Sequence, residues 1–141
     1  MRSRFFERSG FMDENVTFGS FIKDKRTARG WSLRSLAEKL AVSLTYLSDV
    51  ETGKRYAFPK EKLLLLAEIF EIDSLEEKNL YLDLAAKTRD TVPLDVEEYI
   101  LKNDILITFI RKMINKQFIA TEYINDILRK LNSKKDDYNL K

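Results

Sequence analysis

Apolar residues return every three or four positions along nearly the whole chain, and no run alternates long enough to make a strand, so packed helices are the only fold class available. Thr17 opens the first run, with Phe18, Phe21 and Ile22 on one face and Gly30 as a left-handed stop, predicting a helix over about 17–29. Ser32 caps a short second helix whose inward side is Leu33, Leu36, Ala37 and Leu40. The turn Ala41-Val42-Ser43 follows at once, and Ser43 caps a third helix that buries Leu47 and Val50 and stops at Gly53. Pro59 restricts Phe58 and marks the next start.

From Lys60, the run Leu63 to Phe70 is apolar almost all round, which predicts the most enclosed helix of the core. Ser74 and Glu77 have the spacing of a capping box and open a fifth helix through Leu75, Leu80, Tyr81, Leu84 and Ala85 to about residue 87. Residues 88–93 are polar and end in Pro93, an ordered link at the expected domain boundary. About three more helices are expected in 94–133. The first carries Val96, Tyr99 and Ile100, the second Ile105/Leu106, Phe109/Ile110 and Met113/Ile114, and Thr121 opens a third with Ile124, Ile127, Leu128 and Leu131. An N-terminal arm, 1–16, and a polar tail, 134–141, flank the domain at 17–87 and the helical region at 94–133.

The chain has neither His nor Cys, which removes imidazole bases, Ser-His-Asp and Cys-His nucleophile systems, Cys/His zinc sites and disulfides. No paired-acid constellation stands out among the remaining groups, so no enzyme activity and no cofactor are expected. The cluster Glu71, Asp73, Glu76 and Glu77 lacks the spacing and glycine of a calcium loop, so no metal is expected either. No apolar stretch reaches membrane-spanning length and the start lacks a leader-like run, predicting a cytoplasmic protein with no membrane partner. Net charge is only +2, but residues 17–59 carry eight Lys/Arg against four acids while residues 60–92 carry five against eight. That polarity suits an anionic partner on the first half, and ordinary solvated charge explains it equally well.

Several elements occur together between Gly30 and Arg55: the glycine before a Ser cap, Leu36-Ala37, the opening Ser43-x-x-Tyr46-Leu47-Ser48, and Val50-Glu51-x-Gly53-Lys54. With this set the segment resembles the helix-turn-helix of the phage repressor and Cro family, also called the xenobiotic-response-element (XRE) family. The resemblance implies an all-α chain with a five-helix lambda-repressor-like DNA-binding domain followed by about three C-terminal helices. It also implies a sequence-specific, double-stranded-DNA-binding transcriptional regulator, a dimeric repressor that places its third helix, 43–52, in the major groove.

The expected site follows from residue chemistry. Small Ala37 lets the second helix approach the third and hold it out from the core. Leu44, Thr45, Ser48 and Asp49 face outward and match the positions from which the family reads base edges. They offer two hydroxyls, a side chain for a thymine methyl and a carboxylate that accepts from cytosine N4. Asp49 also reads as the surface partner of a basic residue. For phosphates, the helix N-termini at Ser32 and Ser43 present free backbone N–H groups, and Arg34, Lys54 and Arg55 add charge. Leu33 stands where the family often has a phosphate-binding Gln, which leaves Arg34 as the contact. Ala41 stands where Gly is frequent, at a cost of about 1–2 kcal/mol if left-handed. The resemblance implies an ion pair between Arg26 and Glu51 that locks the first helix to the third. Trp31 and Tyr46 read as core or staple residues rather than base-stacking ones. Arg2, Arg4 and Arg8, interleaved with Phe5, Phe6 and Phe11, read as a DNA-following arm or a flap over the core.

One such domain touches a single half-site, so useful affinity calls for two domains spaced roughly 34 Å apart. The helices of 94–133 are the expected homodimerisation element, with folding back onto the fourth and fifth helices as the competing use. The alternative function is an antitoxin or protein-neutralising adaptor. There the C-terminal helices bind a toxin-like partner protein, and DNA binding serves autoregulation.

Overall fold

The structure, a computed structural model, describes residues 15–116 and 121–138. Arg2, Arg4, Arg8 and the phenylalanines between them lie outside the described residues, as does the end of the polar tail. Among the described residues there are helices only: α1 (Phe18–Ala28), α2 (Leu33–Leu40), α3 (Leu44–Glu51), α4 (Lys60–Ile69), α5 (Leu75–Arg89), α6 (Leu94–Leu101), α7 (Asp104–Lys116) and α8 (Thr121–Tyr138).

Local chemistry sets the ends of the first three. The Thr17 hydroxyl accepts the Ser20 N–H at 3.1 Å while the Ser20 hydroxyl accepts the Thr17 N–H at 2.9 Å, a capping box with serine at its third position. Gly30, at φ +66°, turns the chain out of α1. Ser32 and Ser43 each accept the backbone N–H three residues on, at 3.0 and 3.1 Å. Between α2 and α3 the turn passes through Ala41 in the left-handed region, φ 55° and ψ 47°.

Packing then distributes the apolar faces. α1 packs on α3 and α5, and α2 packs on α3 and α4. The core gathers Phe18, Phe21 and Ile22 from α1, Leu36, Ala37 and Leu40 from α2, Leu47 and Val50 from α3, and Tyr81, Leu82, Leu84 and Ala85 from α5. α4 is not the enclosed helix that its leucine run predicts. It buries Leu63 and Leu66 only, and Leu64 is 41% exposed. Four consecutive leucines make every face of a helix apolar, but α4 has neighbours on one side, and the enclosed positions fall to α1 and α5.

Aromatic rings fill the middle: Phe18 lies 5.5 Å from Tyr81 and 6.5 Å from Phe58, ring centre to ring centre. The Tyr81 hydroxyl donates to the Leu63 carbonyl at 2.6 Å, and burial pushes its pKa well above the usual phenol range. At the start of α5, Ser74 accepts the Glu77 N–H, but the Glu77 carboxylate pairs with Lys25 of α1 instead of closing the capping box. α5 continues past the expected end near 87 to Arg89, where Asp90 leaves the helix at φ 55°.

The described chain divides into two compact units between Glu97 and Glu98. In the second unit, Ile105, Phe109, Ile127 and Leu131 are 79%, 51%, 45% and 61% exposed. No helix among the described residues is long and apolar enough to cross a membrane.

Candidate nucleic-acid interface

α3 is held from behind by three kinds of contact. Leu47 and Val50 are buried, which fixes which side of the helix faces out. Gly19, in the first turn of α1, lies so close to the last turn of α3 that a Cβ there would sit 2.3 Å from the Glu51 carbonyl oxygen and 2.6 Å from that of Val50. Arg26 closes the lock: its Nε and Nη2 donate to the two Glu51 carboxylate oxygens at 2.8 and 3.0 Å, and its Nη1 donates to the Trp31 carbonyl at 2.9 Å. The fork geometry raises the Arg26 pKa against the opposing effect of burial. From the α2 side, the Val42 N–H donates to the Ala37 carbonyl at 3.0 Å and draws the turn tight.

On the outward side Leu44 and Thr45 are exposed, and Ser48 and Asp49 are half-buried. Asp49 is committed: its carboxylate lies 3.5 Å from Arg55 Nε, and its backbone carbonyl accepts the Arg55 N–H at 3.1 Å. Of its two sequence readings, the basic-partner geometry is therefore present. Thr52, which sequence reasoning passed over, is exposed in line with Thr45 and Ser48, and its hydroxyl donates to the Ser48 carbonyl at 2.9 Å. The i, i+3, i+7 spacing from Thr45 was the available signal.

Of the candidate phosphate contacts, Ser32, Arg34, Ser43, Lys54 and Arg55 are all exposed. The Ser32 and Ser43 hydroxyls accept the capping bonds, and each keeps its O–H to donate to an incoming phosphate oxygen. Arg34 has no ion pair among the described residues, whereas Arg55 is shared between Asp49 and the Tyr46 ring, whose centre it approaches to 5.0 Å. Tyr46 meets Phe58 edge to face at 5.2 Å, and Trp31 stacks on Phe70 at 6.2 Å, so both aromatics are tied into the domain.

Two supports have no sequence signal. The Arg29 guanidinium donates to the Phe70 carbonyl at 2.6 Å and lies 5.3 Å from the Phe70 ring centre, tying the end of α1 to the end of α4. Thr88 and Arg89 bond to the backbone of Ala57 in the loop after α3. These pairs are 31 to 41 residues apart in the chain, so local patterning does not reach them.

Residues 22–76 match a family described as helix-turn-helix, of the XRE-like type. That segment contains the Ser32 and Ser43 caps, the turn between α2 and α3, the Arg26–Glu51 pair and all of α3. A solved structure titled "SinR protein/SinI protein complex" is similar at 18% identity with a TM-score of 0.42, over 85% of this chain and 99% of that one. No curated protein matches the sequence.

Proposed function

We propose that the protein, whose residues 22–76 match the helix-turn-helix family, binds operator DNA as a dimer and represses by excluding polymerase. α3 enters the major groove with Leu44, Thr45 and Ser48 at base edges. Ser32, Arg34, Ser43 and Lys54 anchor the flanking phosphates, and Arg55 also holds Asp49 out of the bases' way. The observation that carries this reading is the position of α3, braced by buried Leu47, Val50 and the Arg26–Glu51 fork while its opposite face stays open.

Selection of bound duplexes from a random pool, followed by titration across salt concentrations, tests it. Arg34→Ala weakens binding to every sequence and lowers the salt slope by about 1, whereas Thr45→Ala shifts preference at particular base positions. Uniform loss in both variants removes α3 as the reader.

The exposed apolar residues of α7 and α8 favour a second reading beside the first, in which the second unit holds a toxin-like partner protein and DNA binding is autoregulatory. A stoichiometric protein that copurifies with the full chain, and is lost with Phe109→Glu, supports it. A chain that purifies alone as a dimer counts against it.

A further inference from the structure

Tyr46, Lys54, Arg55, Tyr56 and Arg89 line an open recess of about 500 Å³ next to the C-terminal end of α3. Three of these side chains are cationic and none is acidic. The recess is held together from behind by Ala57, which is buried. The Ala57 N–H donates to the Thr88 hydroxyl at 2.8 Å, and its carbonyl accepts from Arg89 Nε and Nη2 at 3.2 and 2.7 Å. Those bonds fix the last turn of α5 to the loop that leaves α3.

They also fix the guanidinium. Two of its nitrogens are spent on Ala57, while Nη1 has no partner and Arg89 no carboxylate among the described residues. Arg89 lies 5.7 Å from the ring centre of Tyr56, which is itself 65% exposed. On the other side, Arg55 reaches Asp49 and so joins the recess to the outward face of α3. A single cation at a helix C-terminus is accounted for by the helix dipole. A pinned guanidinium with one free edge, a second arginine over a ring and an unpaired lysine make instead the donor set that fits a phosphodiester.

We propose that Lys54, Arg55 and Arg89, with Tyr56 as a wall, clamp a backbone phosphate of the duplex beside the base pairs that α3 reads, which extends the footprint of each domain past its half-site. The proposal rests on α3 being the DNA reader, and it adds a residue, Arg89, that lies outside the matched segment 22–76.

The test uses the full chain and its selected duplex, with salt titration and phosphate-ethylation interference. Arg89→Gln is expected to lower the salt slope by about 1, so that its loss of affinity relative to wild type changes roughly fourfold between 50 and 200 mM salt. Base preferences stay the same, and one flanking phosphate whose ethylation inhibits wild type becomes indifferent in the variant. Tyr56→Ala removes no hydrogen bond to Ala57 and serves if Arg89→Gln does not fold; it is expected to blunt the same ethylation signal. Wild-type slope and ethylation pattern in the folded variants overturn the clamp while leaving α3 as the reader. Inorganic phosphate binding that Arg89→Gln abolishes, with the duplex salt slope and ethylation pattern left at wild type, also overturns it in favour of a free-anion pocket. A wild-type protein that binds no duplex sinks the DNA reading itself, and the clamp with it.

Discussion

Arg26 and Glu51 bring opposite charges to a place where their side chains keep only 11% and 6% of their exposure. Removing one partner there strands the other away from water, so Glu51→Ala is expected to destabilise the domain by about 3–5 kcal/mol in urea unfolding. A loss below about 1 kcal/mol would mean that the pair is solvated and unimportant. Ala41 makes the opposite case: its φ of 55° holds a Cβ where glycine would have none. Ala41→Gly is expected to stabilise by about 1 kcal/mol with DNA affinity unchanged, and a lower melting temperature overturns the strain account. Asp83 has its pKa raised by burial and then by the neighbouring charge of Asp95. A raised folded-state pKa means that protonation favours the fold, and this stability is lost as pH rises through that value. Asp83→Asn is therefore expected to melt higher than wild type at neutral pH, with the gap closing in acid towards the ordinary carboxyl value of about 3.9. A gap that widens on acidification reverses the assignment.

At the scale of elements, caps and turn were legible because they are local: Thr17, Ser32 and Ser43 each bond a backbone N–H three residues away. The approach of α1 to α3 was not. Gly19 shows nothing in its neighbours to say that it must lack a side chain, and only the carbonyls of Val50 and Glu51, 31 and 32 positions on, impose it. Those neighbours are backbone and do not move aside, so Gly19→Ala is expected at the upper end of the about 1–3 kcal/mol that overpacking costs. DNA affinity should fall more than for an equally destabilising change elsewhere in the core, because α1 is what sets the height of α3. Affinity that tracks stability alone counts against this. α4 carries the same lesson from the other direction: its leucine run describes what the helix tolerates, and the number of neighbours decides what is buried.

For the molecule as a whole, the second unit leaves Ile105, Phe109, Ile114 and Leu131 more than half exposed, and isolated helices of this length are marginal in water without a covered face. In the proposed dimer a second copy covers those faces and joins two helix-turn-helix domains under one linkage, the arrangement that two half-sites require. Light scattering on the full chain is expected to give a dimer, and on a chain ending at Glu97 a monomer. Equal oligomeric states in the two remove the dimerisation role.

The sequence alone determined that this chain is helical, where the first three helices are capped, and that residues 30–55 make two short helices about a tight turn. Spacing, caps and left-handed positions act over three or four residues, and so are written where they act. Only the tertiary structure decided which helix is enclosed, why residue 19 must be glycine, and that Arg89 stands beside Lys54 and Arg55. Those outcomes depend on which distant surfaces meet, and a side chain's charge or volume says nothing of its neighbour until the chain has closed on itself.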